Sequence, residues 1–199
     1  MLCGVLSAWL AMPAGVMACG ACSEVAINSS MEVSPESGSL NLRQSDGRLS
    51  GYAGIDLERE YDSRNNMFSM FGYGWQPSWL ANLATTAGDI TVNFGTLSET
   101  FVATNGYVNA SGTMVLSFNG EGTNQTVEVK ERVGGRWTFS GVNGACLWQE
   151  DRNGNRTTYE ITVTNKVVGA ANGSNVVTAV YLPTRVTYAD GREVVLTTS

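Results

Sequence analysis

The chain has 199 residues, a net charge of -6 at pH 7 and no histidine. Its 43% hydrophobic and 15% charged residues are typical of a folded domain and argue against a mainly disordered chain. The acidic balance argues against a nucleic-acid partner or a polybasic attachment to anionic lipid, since both need lysine and arginine. Without histidine the chain lacks the commonest general base and the commonest nitrogen ligand for metals. We therefore expect no catalysis, no cofactor and no metal.

Residues 1–18 form an uncharged apolar run, and the first charged residue is Glu24. The run is short for a membrane span and carries Pro13 and Gly15 near its end, where signal peptides relax before cleavage. It lacks a positive n-region, which is consistent with Met1 being an internal start. A buried core helix is the alternative. We expect a signal helix over 1–18 and an exported protein, either secreted or held at the cell surface or outer membrane.

Two cysteines, Cys19 and Cys22, follow the apolar run. Residues 16–19 resemble a bacterial lipobox except at Met17, which predicts lipidation of Cys19 as the one attachment to a membrane. Ordinary cleavage after Ala18 is the second interpretation, and a C-x-x-C redox or metal pair is the third.

Removal of Cys3 with the leader and lipidation of Cys19 would leave Cys22 and Cys146 as an even pair. An oxidising compartment would favour a disulfide between them.

Residues 19–39 are expected to be a linker or tether, and residues 40–199 a β-domain. From Leu40 onward apolar and polar residues alternate with period two, as in half-buried strands. Val127 and Val129 share one face of such a segment, and Tyr159, Ile161 and Val163 share one face of another. The pattern predicts an all-β fold, an antiparallel meander of β-hairpins.

Asn-Gly and Asp-Gly pairs separate these segments and predict type I′ hairpin turns, in which both central residues take a positive φ. The pairs are Asp46-Gly47, Asn105-Gly106, Asn119-Gly120, Asn143-Gly144, Asn153-Gly154, Asn172-Gly173 and Asp190-Gly191.

Three patches of the sequence resemble the bacterial Rhs/YD-repeat family. The first is an R-x-Y-x-S-R strand followed by F-G-x-G-W, which opens the repeats in that family. Its residues here are Arg59, Tyr61, Ser63, Arg64, Phe71, Gly72, Gly74 and Trp75. The second is a D-x-x-G-N turn and strand, and the third is a shortened Y-D-x-x-G unit. Their residues are Asp151, Gly154, Asn155 and Tyr159, and Tyr188, Asp190 and Gly191.

This resemblance implies stacked β-hairpins that spiral into a hollow shell, which in some members encloses a C-terminal toxin and in others serves at the cell surface. It implies a non-catalytic scaffold segment, whose partners are downstream repeats or an encapsulated C-terminal domain. We expect the β-domain to be incomplete at its C-terminus, with the strand at 192–198 presenting an open edge. Asp151 would cap its turn, and Gly154 would supply a positive φ.

The aromatic residues at the end of the first patch and just after it have two interpretations. Phe71, Trp75 and Trp79 are expected to pack as a hydrophobic plug. The alternative, a surface carbohydrate-binding or adhesive β-domain, would use Tyr73, Trp75 and Trp79 as a platform for sugar rings.

Carboxylate clusters at Glu58, Glu60 and Asp62 and at Glu150 and Asp151 are the candidates for a glycosidase pair. We expect the first cluster to lie on a solvated sheet face and to pair with Arg59 and Arg64.

Overall fold

The computed structural model describes residues 16–17, 29–49, 55–65, 67–86, 88–169 and 175–197. Its regular structure is antiparallel β-sheet, apart from two single-turn 3-10 helices in these ranges, Ala103–Asn105 and Gly122–Asn124. The all-β prediction is therefore confirmed. The strands are β1 (Val16–Met17), β2 (Ser29–Val33), β3 (Leu40–Leu49), β4 (Ile55–Asp62), β5 (Phe68–Ser69), β6 (Gly72–Tyr73), β7 (Trp75–Pro77), β8 (Ala81–Thr86), β9 (Asp89–Phe94), β10 (Leu97–Phe101), β11 (Met114–Asn119), β12 (Thr126–Glu131), β13 (Arg136–Ser140), β14 (Cys146–Glu150), β15 (Arg156–Gly169), β16 (Asn175–Thr187) and β17 (Glu193–Leu196).

The largest sheet has eight strands, and β11 to β17 lie in it in sequence order, each antiparallel to the next. This is the meander that the alternating pattern predicts. The preceding part of the chain forms three smaller sheets: β2-β3-β4-β7, β5-β6 and β10-β9-β8. We call the eight-stranded sheet without β1 the meander, and residues 29–101 the opening segment.

One hydrophobic core joins the opening segment to the meander. Val92 and Phe101 of the three-stranded sheet are fully buried in the same cluster as Val129 and Phe139 of the meander. Val127 is also buried, so the alternation from Val127 to Val129 puts one face of β12 into this core. Burial of such side chains contributes about 1.5–3 kcal/mol each, which makes this cluster the main source of stability.

The hairpin formed by β15 and β16 extends beyond the sheet. These strands have 14 and 13 residues, but β14 pairs only with 156–158 and β17 only with 185–187. The outer part of the hairpin is therefore a two-stranded arm. The structure describes it as far as Gly169 on one strand and Asn175 on the other.

The described residues of the N-terminal region include two strands, β1 and β2. Residues 29–33 form β2, which pairs with β3, so that part of the predicted tether belongs to the sheet. The signal helix falls outside the described residues except for Val16 and Met17. These two pair with Leu196 and Val195 of β17.

The predicted type I′ geometry is wrong for the described turns. Asp46-Gly47 lies inside β3, at a bulge opposite β4, and is not a turn. Among the described residues Tyr107 is the one non-glycine residue with a positive φ, so no Asn or Asp adopts the conformation that a type I′ turn needs. Asn172-Gly173 lies outside the described residues.

Candidate functional site

Arg59, the first residue of the opening motif, lies between two aromatic side chains of its second half. Its guanidinium carbon is 5.3 Å from the centroid of the Phe71 ring and 5.2 Å from that of Trp75. Both distances are within the range of cation–π attraction. The same guanidinium pairs with Asp46 on β3 at 3.3 Å, while burial raises the pKa of that carboxyl. The motif thus brings strand β4 and the F-G-x-G-W segment into direct contact.

Tyr61 and Gly74 make the second contact of the motif. The Tyr61 ring lies 5.2 Å from the Trp75 ring, and Gly74 sits against its edge with φ +74°. A Cβ on Gly74 would fall 2.6 Å from Tyr61 Cε2 and 2.9 Å from the Asp62 carbonyl oxygen. Position 74 therefore requires glycine for space as well as for its backbone conformation. Gly72 also has a positive φ, but it is open on that side.

Ser63 and Arg64 end the motif strand through backbone interactions. Ser63 Oγ accepts the Leu40 N–H at 2.9 Å, and the Ser63 N–H donates to the Leu40 carbonyl at 3.0 Å. The Arg64 N–H donates to Asp62 Oδ1 at 2.8 Å. These bonds fix the end of β4 against the start of β3.

Trp79 does not join the expected plug with Phe71 and Trp75. It is 8% exposed, stacks on Tyr159 with centroids 6.5 Å apart, and accepts the Tyr159 hydroxyl at its carbonyl oxygen at 2.8 Å. The plug prediction is therefore wrong in its membership, because Trp79 packs in the shared core. A buried ring is also unable to serve a sugar platform with Tyr73 and Trp75.

Three hairpin turns at one end of the meander share one geometry. In each, the fourth residue donates its N–H to the carbonyl of the first, and the first donates to the carbonyl of the fifth. The fourth residue is a glycine with positive φ. This is the three-residue loop with a glycine bulge. The turns span 131–135, 151–155 and 188–192.

Asp151 caps its turn as the sequence predicts, and Asp190 accepts a backbone hydrogen bond within a second turn. Asp151 Oδ1 accepts the N–H groups of Asn153 and Asn155 at 2.8 and 2.9 Å. Asp190 Oδ1 accepts the Arg192 N–H at 3.1 Å. These hydrogen bonds favour the charged carboxylate, and the pKa of both groups is lowered, for Asp151 chiefly by the Asn155 side chain.

The carboxylates on β4 pair with a different arginine from those expected. Arg43 of the neighbouring strand β3 binds Glu58 at 3.3 Å and Glu60 at 2.8 Å. Arg59 pairs with Asp46 instead, and Thr96 donates its hydroxyl to Glu60 Oε2 at 2.8 Å. Burial raises the pKa of Glu58, against the opposing effect of Arg43. The arrangement is an ion-paired sheet face.

Glu150 binds Arg136 on one oxygen and Arg156 on the other, the latter at 2.9 Å. Hydrogen bonds from these two guanidinium groups lower the pKa of Glu150. A carboxylate held in its charged form in this way is a poor proton donor, so this pair does not match the raised acid of a glycosidase site.

Cys146 is fully buried and has no disulfide partner among the described residues, and its sulfur lies 3.6 Å from the Trp148 carbonyl oxygen. Burial raises the pKa of this thiol far above its usual value. Cys19 and Cys22 lie outside the described residues, so the lipidation and disulfide predictions stay predictions. Among the residues that the structure covers, no cluster of three metal-ligating side chains occurs. Within the same ranges no helix has the length and apolar character to cross a membrane.

A cleft of about 720 Å³ lies between β5-β6, β8-β9 and the arm, and no sequence pattern indicated it. Its lining includes Phe68, Met70 and Tyr73 on the hairpin and Gln76 on β7. The lining residues lie between positions 67 and 181 of the sequence. Alternation within a single strand does not reveal which distant segments meet.

Residues 30–97 match the family model described as "Domain of unknown function (DUF6531)". The match contains the opening motif and most of the opening segment. No curated protein matches the chain.

Proposed function

We propose that this chain is a non-catalytic structural segment of an exported Rhs/YD-repeat protein, forming part of its shell. The observation that carries the proposal is the repeated turn at 131–135, 151–155 and 188–192, which closes three hairpins of one continuous meander. Hairpins that share one turn geometry and one strand pairing can be stacked in succession, because each meets the next through the same kind of interface. Two of the three turns contain the family's D-x-x-G-N and Y-D-x-x-G residues.

The opening segment supports the same function. In this segment the family residues contact one another and hold β4 against the F-G-x-G-W residues, as a structural role requires. The region that matches DUF6531 contains this cluster, and such domains often occur in Rhs/YD-repeat proteins. The chain would contribute to a toxin-enclosing or cell-surface assembly.

Export would expose the outer edge of β17, the last strand of the meander. The two residues that pair with the outer side of β17, Val16 and Met17, belong to the predicted signal peptide. Cleavage at Ala18 removes them and leaves Val195 and Leu196 available for pairing. Downstream repeats would occupy that edge, or an encapsulated C-terminal domain would lie beside it.

The proposal is tested by comparing two proteins by size-exclusion chromatography and thermal melting. One is the segment from Ser23 to Ser199, and the other is the same segment lengthened by the repeats that its gene encodes next. We expect the shorter protein to self-associate or melt at a low temperature and the longer one to be monomeric and more stable. A monomeric, highly stable short segment, or a gene without further repeats, would overturn the shell proposal.

Export is tested by mass spectrometry of the protein made in a bacterium. We expect loss of residues 1–18 and a diacylglyceryl mass on Cys19. An unmodified N-terminus at Cys19 would favour ordinary secretion, and an intact Met1 would contradict both routes.

A further inference from the structure

A groove of about 520 Å³ lies between two of the glycine-bulge turns, those at 131–135 and 151–155. Its volume falls within the range of roughly 300–1,000 Å³ that small-molecule sites occupy. Trp137, Gln149 and Thr157 line the groove and are cross-strand neighbours on β13, β14 and β15. These three side chains therefore share one face of the meander and form the floor of the groove.

The apolar part of the groove is formed by Trp137 and by Val133 at the centre of the first turn. Phe94 contacts Trp137 edge to face with ring centroids 4.9 Å apart, which holds the indole in place. Trp137 is only partly buried, and Val133 keeps 74% of its surface exposed. An aromatic or aliphatic group of a ligand would cover both side chains and remove apolar surface from water.

One carboxylate, that of Glu131, lies beside the indole. A Cβ on Gly135 would fall 2.6 Å from Glu131 Oε2 and 3.2 Å from Trp137 Cη2, so glycine leaves the room in which these two groups meet. The Glu131 carboxylate has no hydrogen bond or ion pair within the described part of the chain. An ammonium group in the groove would supply the counter-charge that Glu131 lacks.

The opposite charge comes from Arg152 on the second turn. A Cβ on Gly134 would fall 3.2 Å from Arg152 Cβ, so the two turns are in contact here and Arg152 lines the groove. Among the residues that the structure covers, its guanidinium pairs with no carboxylate, not even that of Glu131. The other two lining carboxylates are engaged, since Glu150 binds two arginines and Asp151 accepts N–H groups of its turn. Glu131 and Arg152 therefore remain for a ligand.

A ligand with a single charge would pair with one side of the groove and take water from the other charge without replacing it. A zwitterion pairs with both. We propose that this groove binds a zwitterionic α-amino acid with an aromatic or large apolar side chain. Its ammonium lies on Glu131, its carboxylate on Arg152 and its side chain on Trp137. This binding function is independent of the shell proposal.

Calorimetry and saturation-transfer NMR on the full chain test this proposal with three matched probes. L-phenylalanine carries both charges, phenethylamine lacks the carboxylate and hydrocinnamate lacks the ammonium. We expect L-phenylalanine to bind, and the two singly charged probes to have a Kd about two to ten times higher, as expected for the loss of one partly exposed ion pair. The proposal is overturned if L-phenylalanine does not bind, or if either singly charged probe binds as tightly.

Glu131→Gln and Arg152→Gln separate a binding role from a structural one. Glu131→Gln should raise the Kd for L-phenylalanine about two to ten times without weakening hydrocinnamate, which has no ammonium to lose a partner. Arg152→Gln should raise the Kd for L-phenylalanine similarly without weakening phenethylamine, which has no carboxylate. Arg132→Gln removes an exposed guanidinium from the first turn and should leave every Kd unchanged. Equal weakening of all three probes by Glu131→Gln or Arg152→Gln would contradict the assigned contacts, as would an effect of Arg132→Gln as large as that of Arg152→Gln.

Discussion

The opening segment and the meander reach a folded state by different means. In the meander, successive strands pair with their neighbours in sequence, one turn geometry recurs, and alternate residues fill the core. In the opening segment the strands are short, and single side chains such as Arg59 and Gly74 connect them. Local sequence pattern therefore specifies the meander, whereas particular contacts between distant residues specify the opening segment.

The largest expected effect comes from the core of the meander. Phe139 is fully buried, and Phe139→Ala should lower the free energy of unfolding by about 3–5 kcal/mol, because it removes apolar contacts and leaves a cavity. Phe118 lies on β11 with 42% of its surface exposed, so Phe118→Ala should cost much less. Urea denaturation of both variants measures the difference. Equal losses would contradict the assignment of Phe139 to the core.

Gly74→Ala tests the contacts of the opening segment. We expect it to cost about 2–5 kcal/mol, because the new Cβ adds steric overlap with Tyr61 to an unfavourable positive φ. Gly72→Ala is the matched control, since Gly72 has φ +103° but open space around it. It should lose only the conformational part, about 1–2 kcal/mol. Thermal melts measure both variants, and equal melting temperatures would show that Gly74 is not packed against Tyr61.

Tyr159→Phe tests the connection between the two regions. The variant loses the hydrogen bond to the Trp79 carbonyl and leaves that buried acceptor unpaired, so we expect a loss of about 1–3 kcal/mol. Tyr73→Phe removes a hydrogen bond to the Gly169 carbonyl, but at an exposed site where water can replace it, so it should cost less than Tyr159→Phe does. Equal melting temperatures for Tyr159→Phe and the unaltered protein would contradict the role of this bond.

The smallest expected effect is electrostatic and depends on pH. Arg136 and Arg156 lower the pKa of Glu150 in the folded state from its ordinary value of 4.5. Stability from this group is therefore present above that value and is lost as the pH falls through the lower folded pKa. Glu150→Gln should have a lower free energy of unfolding than the unaltered protein near neutral pH. This difference between the two proteins should become smaller as the pH falls. Chemical denaturation at several pH values measures this difference. A difference that grew as the pH fell would contradict the stabilising role of the Glu150 carboxylate.

Patterns within a few residues were sufficient to predict most of the meander. Val127 and Val129 are buried as their alternation requires, and Gly154 has the positive φ that its D-x-x-G-N turn requires. The prediction of a turn from an Asp-Gly pair failed at Asp46-Gly47. There the pairing with β4 continues through a bulge and overrides the local turn preference.

The opening segment and the cleft depend on contacts that no local pattern encodes. Trp79 follows the F-G-x-G-W residues closely in sequence, yet it stacks on Tyr159 in the meander. Gln76 is a polar residue in a short strand, and its burial follows from the arm and the three-stranded sheet that meet around it. The family residues indicated which side chains matter in the opening segment, but the geometry was needed to assign their contacts.

The central claim, that the exported chain presents an open edge of a repeating meander, is tested most directly by light scattering over roughly a hundredfold range of protein concentration. The protein is the segment from Ser23 to Ser199, with Val195→Lys on β17 as the edge variant and Val133→Lys in an exposed turn as the control. We predict association that grows with concentration and is suppressed by Val195→Lys, because a charged side chain disfavours strand pairing at an edge. Val133→Lys should leave it unchanged. A monomer at every concentration, or equal suppression by both variants, would contradict the claim.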